Sequence, residues 1–374
     1  QIQVLNNTLV ADEYGVNVNS SFKAEIKQNK ITGRIYWSGI DFNSSDSSTV
    51  IKNYVERTER NDYTGSWQYL INGDNSEYST IVRDTLISPN LGENRGDQQM
   101  ALRCEWSRVD SNYIEFYFRY YGDHYAIHDD RNSDISHNTI IISSYTNNYT
   151  NNIIRSHSSS DYVNSINDNV ITYDGNYYRF PYAIWTQSNT IVRNNTINST
   201  FLESAIYIEN NCIVDSNTIS GDYSNRVFQV EGDSSIIRDN FVTNSGGGTG
   251  VYVGGENYTW VYNNDFFHTN DGRFLESNAS EVYATGNLFE GSSGRGFYIH
   301  SQSGGQIYNN TLISNGGDYG MHQSNQTNVP VYNNIFQGFS NGIFVENTIA
   351  NYNLANNLLW DISGNLFEGS ALPP

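Results

Sequence analysis

Apolar residues along this chain fall into short alternating pieces. GVNV, YAIH, YAIW, AIYI, VFQV, GVYV, GFYI and GIFV each place apolar side chains two residues apart, as a strand does when one face is buried. A polar corner and a second apolar pair follow: LNNTL, KQNKI, IKNYV, VRDTL, DSNYI, SHNTI, NDNVI, RNNTI, DSNTI, RDNFV, YNNDF, TGNLF, YNNTL, YNNIF and ANNLL. The anchors are Asn7, Asn29, Asn53, Asp84, Asn112, Asn138, Asn169, Asn195, Asn217, Asn240, Asn264, Asn287, Asn310, Asn334 and Asn357. They recur about every 22 to 31 residues, the length of one solenoid turn.

Two or three short strands per turn, joined by polar corners, predict a parallel β-helix. Leucine-rich repeats share the period but need L-x-x-L-x-L, and helical repeats need helical spacing; neither is present. Each anchor Asn is expected to take a left-handed backbone conformation at its corner and to bond nearby amides. Stacked copies then form a ladder of side-chain amides. With strands about 4.8 Å apart, the coils predict a rod roughly 70 Å long. The pattern covers residues 1–374 and shows no boundary, so one domain is expected.

The NNT and NNI corners and the G-I/V-x-V/I strands resemble the right-handed parallel β-helix proteins of the pectin-lyase-like superfamily, over nearly the whole chain. The resemblance implies an all-β chain: a single right-handed parallel β-helix of about 15 coils with an asparagine ladder. It implies no one activity, because that scaffold hosts lyases, hydrolases, epimerases, phage tailspikes and surface proteins. The NTD, GHG and RIK motifs of polygalacturonases, the WIDH segment of many pectate lyases and the DPHE motif of alginate epimerases are missing.

The net charge of −20 argues against nucleic-acid partners and anionic bilayers, and no apolar run approaches membrane-spanning length. The lysines all precede Asn53, which leaves no later lysine for a lyase centre. Aromatic content of 14%, mostly tyrosine, with abundant Asn, Ser and Gly, suits strands and polar turns and an extracellular or cell-surface location. Cys104 and Cys212 lie four coils apart, roughly 19 Å along the stack. That exceeds the roughly 7 Å a disulfide tolerates, so two free thiols are expected and zinc is excluded.

In the strand before each anchor, alternate residues should face solvent. Neighbouring coils then present Arg103 with Glu105, His128 with Asp130, Arg155 with His157, Trp185 with Gln187, and Tyr207 with Glu209. The longest spacings lie around these coils, and insertions in a solenoid often wall a binding face. Those insertions carry Tyr117, Tyr173 and Phe180 together with the four loop tyrosines Tyr120, Tyr121, Tyr177 and Tyr178. The expectation is a groove for an extended acidic polysaccharide, with Trp185, Tyr207 and the four loop tyrosines against the sugar rings. A lyase would use His128 or His157 as base and Arg103 or Arg155 to hold a carboxylate and the enolate-like charge. A hydrolase would use Glu105 and Asp130. No metal is required, although calcium could bridge Asp123, Asp129 or Asp130 to a uronate.

The competing expectation is a non-catalytic surface protein: an adhesin stalk, a sheath or filament subunit, or a tail fibre. The chain opens inside a coil and closes after a partial repeat, without an amphipathic cap at either end. Such a solenoid is expected within a longer protein or in end-to-end self-association.

Overall fold

The computed structural model describes residues 1–58, 67–89, 99–118, 123–144, 152–158, 162–175, 182–255, 258–268, 270, 272–279, 281–300, 304–324, 329–346 and 354–369. The described elements are strands, and no helix among these residues is long and apolar enough to cross a membrane. The chain packs as two compact units, Gln1–Glu203 and Ser204–Pro374. Each is a stack of coils whose strands all pair in parallel.

In the first unit every full coil carries three strands, and each contributes one column to the interior. The first column runs Ile26, Val50, Ile81, Val109, Ile135, Ile166, Val192. The second runs Ile31, Val55, Leu86, Ile114, Ile140, Ile171, Ile197, and the third Ile40, Ile71, Leu102, Ile127, Ile154, Ile184. All are fully buried. β-branched side chains dominate because they pack well on a pleated surface. Each contributes about 1.5–3 kcal/mol relative to an exposed position.

The corner that precedes the second strand divides its work between two residues. The left-handed residue is the one before the anchor: Asn6, Gln28, Lys52, Arg83, Ser111, His137, Asp168 and Asn194 all have φ between 53° and 59°. The anchor itself keeps ordinary φ and turns its side chain into the stack, so the expected left-handed anchor moves back by one position. Asn112 donates from its backbone N–H (3.0 Å) and from Nδ2 (2.9 Å) to Asn138 Oδ1. Asn138 does the same to Asn169 Oδ1 at 3.0 and 2.9 Å. Each Nδ2 also reaches a backbone carbonyl of the preceding coil, as Asn112 does to Ile81 O at 3.0 Å. These anchors are almost wholly buried, so the ladder satisfies groups that would otherwise be stranded. The recurrent Asn-Asn pair therefore fills two jobs, with the first residue tolerating positive φ and the second forming the ladder.

The second unit repeats the plan. Its ladder runs Asn217, Asn240, Asn264, Asn287, Asn310, Asn334, Asn357. Gly286, with φ of 66°, takes the left-handed position before Asn287. The interior here is more aromatic: Phe266 stacks on Phe289 at 4.9 Å, and Phe289 on Phe274 at 5.1 Å. His268 sits beside them, 5.8 Å from Phe274, and neither ring nitrogen has a hydrogen-bond partner. Burial pushes its pKa down to about 4. The unfolded chain then binds the extra proton between pH 6.5 and 4, so stability falls as pH drops through that window and levels off below it. The loss is about 3 kcal/mol for a shift of this size. Urea titrations at pH 7 and pH 4 should show wild type losing about that much stability relative to His268→Phe at the lower pH; a difference that does not change with pH would mean the imidazole is not held neutral.

Cys104 and Cys212 are free and buried in separate units, as the thiols were expected to be.

Candidate functional site

Strand register in the first unit builds one outward column: Asn17, Asp41, Asn72, Arg103, His128, Arg155, Trp185. Four of the expected site residues are thus nearest neighbours on successive coils, about 4.8 Å apart. A second column lies beside it: Tyr69, Met100, Tyr125, Asn152, Tyr182. It exists because these strands turn two consecutive residues inward. Leu70–Ile71, Ala101–Leu102 and Ala126–Ile127 are all fully buried, which resets the alternation on either side. Tyr69, Met100 and Tyr125 pack into a cluster with Trp67 against it.

The charged groups interlock across coils. Arg103 bonds Asp130 Oδ2 through Nε (2.6 Å), Asp74 Oδ2 through Nη1 (3.0 Å) and the Tyr69 hydroxyl at 3.3 Å. Burial works against the Arg103 charge, but Asp130, Tyr69 and Asp74 outweigh it and its pKa rises. Burial raises the Asp74 carboxyl. Glu105 is 6% exposed and pairs with Arg131 Nη1 at 3.4 Å; burial pushes its pKa up. Both carboxylates of the hydrolase reading are therefore held in ion pairs.

The histidines differ from their expected exposure and basicity. His128 is in register with the column but only 9% exposed, stacked on Tyr125 at 4.8 Å. Its ring nitrogens have no hydrogen-bond partner, and Nε2 stands 3.7 Å from Asp130 Oδ1. Burial, opposed by Asp130 and aided by Arg155, pushes its pKa down to about 3. His157 accepts a 2.9 Å bond at Nε2 from Arg155 Nε, and burial followed by the Arg155 charge lowers its pKa. Both imidazoles are neutral at pH 7 and weakly basic, which suits proton abstraction poorly.

Arg155 is the group these side chains present. Its Cζ lies 4.8 Å from the Trp185 ring and 5.5 Å from the Tyr125 ring, and Nη1 donates to the Tyr125 hydroxyl at 2.7 Å. Trp185 in turn lies 5.2 Å from the His157 ring. Among the described residues no carboxylate pairs with Arg155, and its Nη2 is uncommitted. An aromatic-flanked guanidinium with a free edge is a receptor for a carboxylate or sulfate.

The remaining expected residues distribute differently. Tyr207 is half-buried on the strand Thr196–Asn210, in the part that belongs to the second unit. Tyr120, Tyr121, Tyr177, Tyr178 and Phe180 lie outside the described residues. Tyr173 turns into the core at 2% exposure, so it walls no groove. Asp129 also points inward. Its carboxylate accepts from Ser133 Oγ (2.7 Å), Ser156 Oγ (2.8 Å) and the Arg131 N–H (3.1 Å), and burial pushes its pKa up to about 7. It therefore cannot share a calcium ion with Asp130 on the outer face. Among the described residues no three His, Cys, Asp or Glu side chains converge to hold a metal ion.

Residues 204–359 match the family described as the right-handed beta helix region. Both units are parallel β-helices, and the match over 204–359 sets that stretch beside right-handed ones. No curated protein matches the chain's sequence. Among solved structures, this β-helix is similar to the tailspike protein of E. coli bacteriophage HK620 in complex with a hexasaccharide. The identity is 8% over 96% of this chain and 71% of that chain, with a TM-score of 0.47. It is also similar to a mannuronic acid specific polysaccharide family 6 lyase from human gut microbiota. There the identity is 10% over 80% of this chain and 87% of that chain, with a TM-score of 0.32. Sequence reasoning missed Trp67, Tyr69, Met100 and Tyr125 on this β-helix. The signal was available in QYLIN, QMALRC and HYAIHD, where paired apolar residues interrupt the period of two.

Proposed function

We propose that the outer face of the first unit binds a glycan carrying carboxylate or sulfate groups, in an extracellular or cell-surface setting. The observation that carries this is Arg155, flanked by Trp185 and Tyr125 and left without a carboxylate partner among the described residues. In a protein of net charge −20, an uncompensated and oriented guanidinium is a specific feature. Trp185 supplies a flat apolar surface for a sugar ring beside it. The neutral, weakly basic His128 and His157 favour binding over β-elimination.

Titration calorimetry with oligogalacturonate, oligomannuronate and a sulfated oligosaccharide tests the reading. Arg155→Gln should weaken the responding ligand about 10- to 100-fold, the loss expected for a hydrogen bond to a charged group. Trp185→Ala should weaken it tenfold or more. Arg34→Gln, an exposed residue paired with Asp12, serves as the control and should change nothing. Absorbance of unsaturated products should stay flat. If no anionic glycan binds, or Arg155→Gln binds as well as wild type, the proposal is wrong.

A further inference from the structure

The second unit carries a polar cleft of about 550 Å3 that the face described above does not include. Two ion pairs stand in it: Arg273 Nη1 with Glu276 Oε2 at 2.6 Å, and Arg295 Nη2 with Asp318 Oδ2 at 2.8 Å. Arg273 and Arg295 are direct neighbours in register on adjacent coils, while their partners come from different places: Glu276 from the same strand and Asp318 from the following coil. Arg273 is further fixed by the Tyr298 ring, 4.2 Å from its Cζ.

Between them the lining is backbone. Gly272 and Gly294 each precede one of the arginines and stack on the coil before. A Cβ at Gly272 would lie 2.5 Å from Gly248 O, and one at Gly294 would lie 2.3 Å from Gly272 O. Glycine is therefore required by the stacking, and it leaves the cleft without side chains along that line.

The chemistry of this cleft differs from that around Arg155. Each cation is matched by a carboxylate, so the cleft has no net charge to offer an anion. Among the described residues each pair leaves groups uncommitted: the second oxygen of Glu276 and of Asp318, and the remaining guanidinium N–H groups. Two donor forks on adjacent coils, each beside a carboxylate acceptor, match hydroxyl groups that both donate and accept. We propose that this cleft binds an uncharged, hydroxyl-rich oligosaccharide laid across successive coils, with the Arg273–Glu276 and Arg295–Asp318 pairs each holding neighbouring hydroxyls. It stands independently of the anionic-glycan face.

The test is binding of uncharged hexasaccharides of glucose, mannose and galactose, with oligogalacturonate alongside, monitored by calorimetry. Wild type should bind at least one uncharged hexasaccharide. Glu276→Gln and Asp318→Asn, which keep size and remove the acceptor charge, should each weaken that binding tenfold or more. Arg155→Gln should leave it unchanged while reducing the anionic ligand, so the two readings fail separately. Thermal melts of both variants exclude loss by unfolding, since Asp318 is 44% exposed in its side chain and its replacement should leave the melt in place. Absence of binding by every uncharged hexasaccharide overturns the proposal. So does binding that survives both substitutions, or a wild-type preference for oligogalacturonate that Glu276→Gln reduces.

Discussion

Replacing Asn138 with alanine should destabilise the first unit by roughly 3–5 kcal/mol, a loss reserved for broken buried networks. Asn138 is 0% exposed and takes part in five ladder bonds. Its Oδ1 accepts from the Asn112 N–H and Nδ2; its Nδ2 donates to Val109 O (3.0 Å) and Asn169 Oδ1; its own N–H survives the substitution. Alanine leaves the Asn112 N–H and the Val109 carbonyl without these partners in a space closed to bulk water. Each stranded group costs about 1–3 kcal/mol. Asn19→Ala, at an exposed position, should stay within about 0.5 kcal/mol. Denaturant titration of both variants checks this. If the two substitutions cost the same, the ladder adds nothing to stability beyond what any surface asparagine does.

The ladder was legible because one copy per coil recurs in the sequence, and because its neighbours must be apolar for the stack to close. The same repetition fixed the register that brings Arg103, His128, Arg155 and Trp185 together. Three things were not legible. The left-handed role was assigned to the anchor because both corner residues are often asparagine; only copies such as Ser111–Asn112 and Lys52–Asn53 separate the jobs. Exposure could not be read from alternation, because lateral packing of Tyr125 and its neighbours closes over His128 without changing its register. The coil of Arg273 escaped notice because RFLES has Ser277 where its neighbours have Val253 and Ile299, which breaks the apolar-x-apolar pattern. The inward pairs Leu70–Ile71 and Ala126–Ile127 conceal Tyr69 and Tyr125.

Asp84→Asn should stabilise the first unit, with a gain that depends on pH. Asp84 is the one acid among the described ladder positions, 1% exposed, between Asn53 and Asn112. Its Oδ1 accepts from the Asn53 N–H (2.7 Å) and Nδ2 (2.9 Å), as an asparagine oxygen does. Its Oδ2 then occupies the place where every other anchor has an amide nitrogen, and it has no partner. By the repeat, that place faces a carbonyl of the preceding coil and the Oδ1 of the next anchor, both acceptors. A carboxylate there is opposed on every side, whereas a carboxylic acid can donate. Burial accordingly pushes the pKa up to about 7, with the Asn53 bonds only partly offsetting it. The folded state then holds a proton that the unfolded state releases between about pH 4 and pH 7. Stability from this group is complete below pH 4, falls as pH rises to 7 and is level above it. A shift of this size corresponds to about 4 kcal/mol. Asparagine supplies the missing donor at every pH, so the variant's advantage should be large at pH 8 and small at pH 4. His268 titrates in the opposite sense over an overlapping range, so wild type alone would show a muted profile. The difference between Asp84→Asn and wild type isolates the acid, and an advantage equal at pH 4 and pH 8 would show that Asp84 is already ionised in the folded chain.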